Sequence, residues 1–156
     1  MTWKLIKRAN AQSGDSEVWA ATASTILSSA TVSSTELKSG YPQDLTVIAM
    51  EGTAGVGASA AASAPTGAPK VRLTTIKATS LVFAVGNDYK RAVARTLPAG
   101  WVILDQWADT STADTYWSQY TNQPTGPAGG VVTVSDTAPA NDQWNLVAVE
   151  LVNSGG

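Results

Sequence analysis

The chain has 156 residues, a hydrophobic fraction of 44% and a formal net charge of -2, which together indicate one globular domain of ordinary size. It contains neither histidine nor cysteine, which excludes Ser-His-Asp and Cys-His catalysis, disulfides and the usual ligands of zinc and copper. Charged residues make up only 14% and form no basic stripe, so we do not expect nucleic acid as a partner.

Alternation of apolar and polar residues with a period of two dominates the first third of the sequence, and this pattern is typical of β-strands. Two short strands come first, followed by a strand rich in Ser and Thr that we expect to be exposed. A nearly continuous apolar run follows, and such a run predicts a central, buried strand. These four predicted strands cover residues 3–8, 17–21, 30–37 and 44–50.

The stretch 52–69 is rich in Ala, Ser and Gly, a composition that a flexible linker between two domains would also have. Its small residues nevertheless alternate at period two, with Val56, Ala58 and Ala60 on one face and Ser59 and Ala61 on the other. We therefore predict an extended strand that a neighbouring layer approaches closely. On this interpretation one domain covers residues 1–152, and residues 153–156 form a flexible C-terminal tail.

The remainder of the chain continues as short strands separated by turns rich in Gly and Pro. About ten strands with such turns predict an all-β fold, an antiparallel β-sandwich of jelly-roll type. Trp19, Trp101 and Trp144 are the tryptophans expected to fill its core. The predicted strands of this part are 70–76, 81–85, 101–107, 115–121, 131–134 and 144–152.

The aromatic residues suggest a binding surface, because the chain has six Trp and four Tyr against one Phe. Trp and Tyr combine an apolar ring with a polar group and are enriched at recognition surfaces. If strands 101–107 and 115–121 pair as a hairpin, several aromatic and polar residues gather near its loop. The alternative is that these side chains pack in or around the core. The candidate ligand-binding residues are Trp107, Trp117, Tyr116, Tyr120, Asp109, Asp114, Gln119 and Asn122.

Two loops are rich in side-chain oxygens, which are the ligands that calcium prefers. They cover residues 109–114 and 136–142, and solvated turns explain both equally simply. A structural calcium ion is therefore a minority hypothesis, with Asp136, Asn141 and Asp142 as its candidate ligands. We expect no other cofactor.

Catalysis by a pair of carboxylates is the one enzymatic chemistry that the composition leaves open. Most of the acidic residues lie beside Ser, Thr, Asn, Pro or Gly, where Asp commonly caps a turn, so we predict that the chain is not an enzyme. A covalent Lys–Asn or Lys–Asp crosslink is a further hypothesis, built from Lys7 or Lys77 with Asn145 or Asn153 and Glu150. The acidic candidates for catalysis are Asp105, Asp109, Asp114, Asp136, Asp142, Glu51 and Glu150.

Four segments give the chain a resemblance to known modules: 5–10, 81–96 (LVFAVGNDYKRAVART), 114–119 (DTYWSQ) and 136–150 (DTAPANDQWNLVAVE). Together they resemble a β-sandwich module that recurs in large secreted bacterial proteins, often beside fibronectin type III-like domains. The resemblance implies an exported accessory module, and it implies neither a catalytic role nor a set of binding residues.

These observations favour a non-catalytic binding or adhesion module of a secreted or cell-surface protein, with carbohydrate or another surface protein as its partner. The alternative is a structural subunit of a fibre, pilus or phage particle, since strands with few charges leave sheet edges open to pairing with another copy. No apolar run approaches the roughly 20 residues of a membrane-spanning helix, so we do not expect membrane insertion.

Overall fold

The computed structural model describes residues 1–155, and over that range it contains nine β-strands and no helix, with every strand pair antiparallel. The all-β, antiparallel prediction is thereby confirmed. Residues 1–155 hold no helix that could span a membrane. The strands are β1 (Lys4–Ala9), β2 (Ser16–Ala20), β3 (Thr53–Ala64), β4 (Lys70–Thr74), β5 (Leu81–Asp88), β6 (Trp101–Asp109), β7 (Asp114–Thr121), β8 (Val131–Ser135) and β9 (Trp144–Asn153).

The main sheet has five strands in the order β3-β9-β5-β7-β6, and β9 is buried along almost its whole length. Successive side chains of a strand point to opposite faces, so the apolar run of β9 supplies both sides of the sheet. Leu146 and Ala148 pack into one core cluster, whereas Val147 and Val149 pack into another. The sheet is therefore covered on both faces.

Two separate strand pairs provide that cover. The β4–β8 pair places Val71, Leu73 and Val134 against the face that carries Trp117. The β1–β2 hairpin places Ile6, Ala9 and Val18 against the opposite face of β9. Because the two pairs belong to different cores, each face of the central sheet has its own hydrophobic cluster.

Strand β3 confirms the strand interpretation of the Ala/Ser-rich stretch over Thr53–Ala64. Ala58 and Ala60 pack against the cluster beneath β4–β8, and Ala61 packs against the other cluster. A Cβ added at Gly57 would lie 2.7 Å from a carboxylate oxygen of Glu150, closer than any side chain tolerates. The small residues therefore allow neighbouring layers to approach on both faces.

The predicted strands at 30–37 and 44–50 are wrong. Residues 21–52, here named the β2–β3 segment, contain no strand. The run 44–50 was expected to be central and buried, yet Leu45, Val47, Ile48 and Met50 are all exposed. The physical reason is that a strand needs a hydrogen-bonded neighbour, and the apolar pattern alone does not supply one.

The tryptophans divide differently from the prediction. Trp144 lies in the core and Trp101 packs against it, as expected, but Trp19 is 47% exposed and Trp117 occupies the core instead.

The ten-residue strand β9 ends at Asn153, and the amide of Ser154 donates to the carbonyl of Gly52 at 2.9 Å. Of the predicted tail 153–156, these first residues are therefore held by hydrogen bonds, and residue 156 lies outside the described residues.

Candidate functional site

The predicted hairpin of β6 and β7 is present, with Trp107 opposite Tyr116 and Asp109 opposite Asp114 at the loop. Asp109 closes this loop, because one carboxylate oxygen accepts the amide of Ser111 at 2.9 Å and the other accepts the hydroxyl of Thr112 at 3.0 Å. Hydrogen bonds from Ser111 and then Thr112 hold the pKa of Asp109 below its usual value. Asp109 is thus a turn cap whose oxygens are already occupied.

The two faces of β7 separate the predicted binding residues. Trp107 stacks on Tyr116 with ring centroids 5.6 Å apart, on the face that also carries Tyr120. Trp117 and Gln119 point to the opposite face, where both are fully buried. Neither of these two residues can contact a ligand in this conformation, so we remove Trp117 and Gln119 from the candidate site.

The remaining predicted residues are also spread along the hairpin. Asp114 is buried beneath the hydroxyl of Tyr116, which lies 3.4 Å from its carboxylate. Tyr120 is half-buried and stacks on Phe83 at 5.7 Å. Asn122 is exposed but lies beyond the far end of β7, roughly 25 Å along the strand direction from Asp114. The loop end therefore keeps Trp107, Tyr116, Asp109 and Asp114 together, and it excludes Asn122.

Sequence reasoning missed the contribution of the β2–β3 segment, which crosses the face of the sheet above Tyr116. The Tyr116 hydroxyl donates to the carbonyl of Pro42 at 3.3 Å, and the hydroxyls of Thr46 and Ser118 are 3.1 Å apart. Burial, and then the charge of Asp114, raise the pKa of Tyr116. The sequence analysis missed these contacts because it predicted a strand at 44–50. A strand within the sheet would lie beside its neighbours and would not cross the face of the sheet.

Tyr41 and Tyr89 complete an aromatic surface near the loop of the hairpin. Burial raises the pKa of Tyr89, and the charge of Asp114 and then the neighbouring Tyr41 add to the effect. Tyr41 is exposed, Tyr89 is half-buried and Trp107 is 41% exposed. We name the group of side chains Tyr41, Tyr89, Trp107 and Tyr116 the aromatic end, in which Tyr116 is buried beneath the exposed ring of Trp107.

Two further carboxylates lie beside the aromatic end. Asp105 precedes Trp107 by two residues on β6, and Asp44 belongs to the β2–β3 segment. Burial, followed by the charge of Asp105, raises the pKa of Asp44. This proximity gives the aromatic end acidic groups that can accept hydrogen bonds from a polar ligand.

Two of the three predicted calcium ligands, Asn141 and Asp142, are bound by Arg91, whereas both carboxylate oxygens of Asp136 are buried without a hydrogen-bond partner. Arg91 donates to Asp142 at 2.5 Å and to the side-chain oxygen of Asn141 at 2.7 Å. Asp136 is buried near Arg95, and burial raises its pKa to about 7 in spite of that positive charge. Over residues 1–155 we find no group of three or more His, Cys, Asp or Glu side chains that could hold a metal ion.

A buried ion pair lies behind the same loops and was not predicted. Arg95 is buried and donates to Asp88 at 2.7 Å, and its guanidinium carbon lies 4.3 Å from the centre of the Trp117 ring. Burial lowers the pKa of Arg95 although three carboxylates face it. No local sequence pattern marks this pair, since its members come from a strand end and from a connecting loop.

The parts of the hypothetical crosslink are not assembled. Lys7 and Lys77 are exposed, whereas Asn145 and Glu150 are buried. The Asn145 amide donates to main-chain carbonyls of residues 12–14 at 3.2–3.3 Å, so its nitrogen orders the β1–β2 turn. No lysine amine is described near either buried partner, and we do not carry the crosslink further.

No protein-family model, no curated protein and no solved structure matches this chain. The resemblance to a module of secreted bacterial proteins therefore stays a prediction, and the candidate site rests on the geometry described above.

Proposed function

We propose that the chain is a non-catalytic binding module of a secreted or surface protein, and that it recognises carbohydrate through the aromatic end. The observation that carries this proposal is the exposed ring of Trp107, held at a fixed orientation by its stacking on Tyr116. Sugar rings present apolar faces that stack on such rings. A ring that is already oriented loses little conformational freedom when a ligand binds.

Polar groups around that ring support the same proposal. Asp105 is exposed on β6 two residues before Trp107, and the half-buried Asp44 lies close to Asp105. Carboxylates accept hydrogen bonds from sugar hydroxyls. We assign neither a reaction nor a ligand contact to Asp109 and Asp114, because Asp109 already caps its turn and Asp114 is buried beneath Tyr116. We propose further that the strands form a β-sandwich of jelly-roll type, a class in which loops gather at the ends of the sheets.

The test compares Trp107→Ala with Trp19→Ala, since Trp19 is an equally exposed tryptophan on β2 outside the aromatic end. Wild-type protein is screened on a glycan array, and the affinity for the best glycan is then measured by calorimetry. We expect Trp107→Ala to lose at least tenfold in affinity, about 1.4 kcal/mol, while Trp19→Ala binds as wild type does. Near-ultraviolet circular dichroism verifies that both variants are folded.

Two outcomes would refute the carbohydrate proposal. The first is a wild-type protein that binds no glycan on the array. The second is a Trp107→Ala variant that keeps wild-type affinity, because the ring would then lie outside the binding surface.

A structural role is the second candidate, and an open sheet edge favours it. Strand β3 lies at one edge of the five-stranded sheet and has no charged residue over Thr53–Ala64. Charged side chains are a common protection of sheet edges against pairing with another molecule. Light scattering at increasing protein concentration tests this role, since an assembling subunit gains mass and a monomeric binding module does not.

A further inference from the structure

A carboxylate lies beside the exposed ring of the aromatic end. In the pairing of β6 with β7, Trp107 lies opposite Tyr116 and Asp105 lies opposite Ser118. Residues two apart on a regular strand point to the same face, with their Cα atoms roughly 7 Å apart. The exposed side chain of Asp105 therefore shares a face with the Trp107 ring, within the reach of one sugar unit stacked on that ring.

The β2–β3 segment brings a second carboxylate to the same place. The carbonyl of Pro42 accepts the hydroxyl of Tyr116 at 3.3 Å, and the hydroxyls of Thr46 and Ser118 are 3.1 Å apart. Asp44 lies midway between these two contacts along the chain and is half-buried. It therefore reaches the sheet between Tyr116 and Ser118, beside the carboxylate of β6.

Negative charge gathers here without a basic side chain to balance it. Within residues 1–155, neither Asp44 nor Asp105 forms a salt bridge. Burial, and then the charge of Asp105, raise the pKa of Asp44, as expected for a carboxylate that faces a like charge. Beneath the aromatic end, Asp114 is buried and one of its carboxylate oxygens has no hydrogen-bond partner. A positively charged ligand group would relieve the repulsion between these carboxylates.

We propose that the glycan bound at the aromatic end carries protonated amines, as polymers of amino sugars without N-acyl groups do. This inference rests on the proposed function and names the class of its ligand. The apolar face of a sugar unit stacks on Trp107, and its ammonium group donates hydrogen bonds to Asp105 and Asp44. Such charge-assisted hydrogen bonds are roughly twice as strong as those between neutral groups, so the amine sets the selectivity.

The same charges disfavour other glycans. A neutral sugar offers only hydroxyl or amide donors and leaves the like charges of Asp44 and Asp105 facing each other. A glycan of uronic acids or sulfated sugars adds a further negative charge, which both carboxylates repel. The formal net charge of -2 opposes such a ligand as well. The expected order of affinity is therefore cationic, then neutral, then anionic glycans.

The test compares two hexamers with the same backbone, one of glucosamine and one of N-acetylglucosamine, by calorimetry at low ionic strength and slightly acidic pH. We expect the wild type to bind the glucosamine hexamer at least about tenfold more tightly, because only this hexamer carries ammonium groups. In Asp105→Asn the ratio of the two affinities should fall to about threefold, since one of two carboxylates is lost. The affinity for the N-acetylglucosamine hexamer should stay at the wild-type value.

The matched control is Glu51→Gln, which makes the same change in net charge at an exposed carboxylate. Glu51 precedes Gly52, whose carbonyl accepts the amide of Ser154, at the end of the main sheet opposite the β6–β7 loop. This variant should keep the wild-type preference for the glucosamine hexamer. Near-ultraviolet circular dichroism verifies that both variants are folded.

The possible failures are distinguishable. A wild type that binds neither hexamer and no glycan of the array overturns both this inference and the proposed function. A wild type that binds a neutral glycan as tightly as the glucosamine hexamer overturns this inference alone. An Asp105→Asn variant that keeps the full preference overturns the placement of the amine. Equally tight binding of hexalysine would show that charge alone is recognised, and it would overturn the sugar as the ligand.

Discussion

Glu150 is a fully buried carboxylate that holds two remote parts of the chain together. Its oxygens accept the amides of Ala58 at 3.0 Å, Ile76 at 2.9 Å and Lys77 at 3.1 Å. Burial raises the pKa of Glu150, but the amides of Ile76 and Ala58, with help from Ser80 and Lys77, lower it below its usual value. The ionised form is therefore the one that orders the turn after β4 and the irregular part of β3.

We expect Glu150→Gln to lower the free energy of unfolding by about 3 kcal/mol, because its amide group would turn a donor toward amides that need an acceptor. Urea unfolding followed by fluorescence measures the change. Glu51→Gln is the control, since Glu51 is exposed and should change stability by less than about 0.5 kcal/mol. Equal stability of the two variants would contradict the role assigned to Glu150.

The close approach of the Trp117 ring requires glycine at position 86. Trp117 is the tryptophan that the sequence suggested as a ligand contact. A Cβ at this position would lie 2.2 Å from the ring of Trp117, and that ring is locked in the core. We expect Gly86→Ala to lower the melting temperature strongly, with a cost of about 3 kcal/mol from overpacking. Gly126→Ala, where no atom lies within 4 Å and φ is not positive, should be neutral in the same melting experiment. Identical melting temperatures would show that Trp117 can move aside.

At the scale of one element, substitutions in β8 can show whether the β4–β8 pair packs firmly against the main sheet. Val134 is completely buried beneath it, whereas Val131 on the same strand is 59% exposed. Val134→Ala should lower the free energy of unfolding by about 2 kcal/mol. The substitution removes two buried methyl groups, so the free energy gained by burying them is lost and a cavity remains in the core. Val131→Ala should stay within about 0.5 kcal/mol. Similar losses in urea unfolding would mean that the pair is loosely attached.

Strand prediction succeeded where the alternating pattern also had a partner strand in the fold. Strand β3 is an example, because its small residues alternate and β9 lies beside it. The apolar run at 44–50 forms no strand, since a run of apolar residues reports the character of the side chains and says nothing of a neighbouring strand. Pairing is a tertiary property, and a single sequence does not contain it.

The candidate site was predicted in part for a related reason. The hairpin of β6 and β7 was recognised from its two strands, and Trp107 and Tyr116 do meet near its loop. Alternation along β7 puts Trp117 and Gln119 on the face opposite Tyr116, and the sequence does not show that β4–β8 buries that face. Tyr41 was missed because its approach to the aromatic end depends on the path of the β2–β3 segment.

At the scale of the whole molecule, buried carboxylates make stability depend on pH in an unusual direction. Burial raises the pKa of Asp136 to about 7, and burial also raises the pKa values of Asp88 and Asp44. An acid with a raised pKa binds its proton in the folded state while the unfolded chain has released it, so stability falls as pH rises through this range. The pKa of Glu150 is lowered, so this residue has the opposite effect. Its contribution to the free energy of unfolding is lost only as pH falls below about 4.5. Stability should therefore be greatest at about pH 4 and lower at pH 7.

Asp136→Asn isolates the largest of these effects, because an amide of the same shape keeps the buried site neutral at every pH. Between the ordinary pKa of 3.8 and the raised value of about 7, wild-type stability should fall by up to about 1.4 kcal/mol per pH unit through this one group. The variant should therefore gain stability relative to wild type as pH rises from 4.5 to 7. Urea unfolding is measured with dilute protein, since the isoelectric point near 4.9 favours association. Asp15→Asn, an exposed carboxylate, is the control, and curves for Asp136→Asn that run parallel to wild type would contradict a neutral Asp136 in the folded protein.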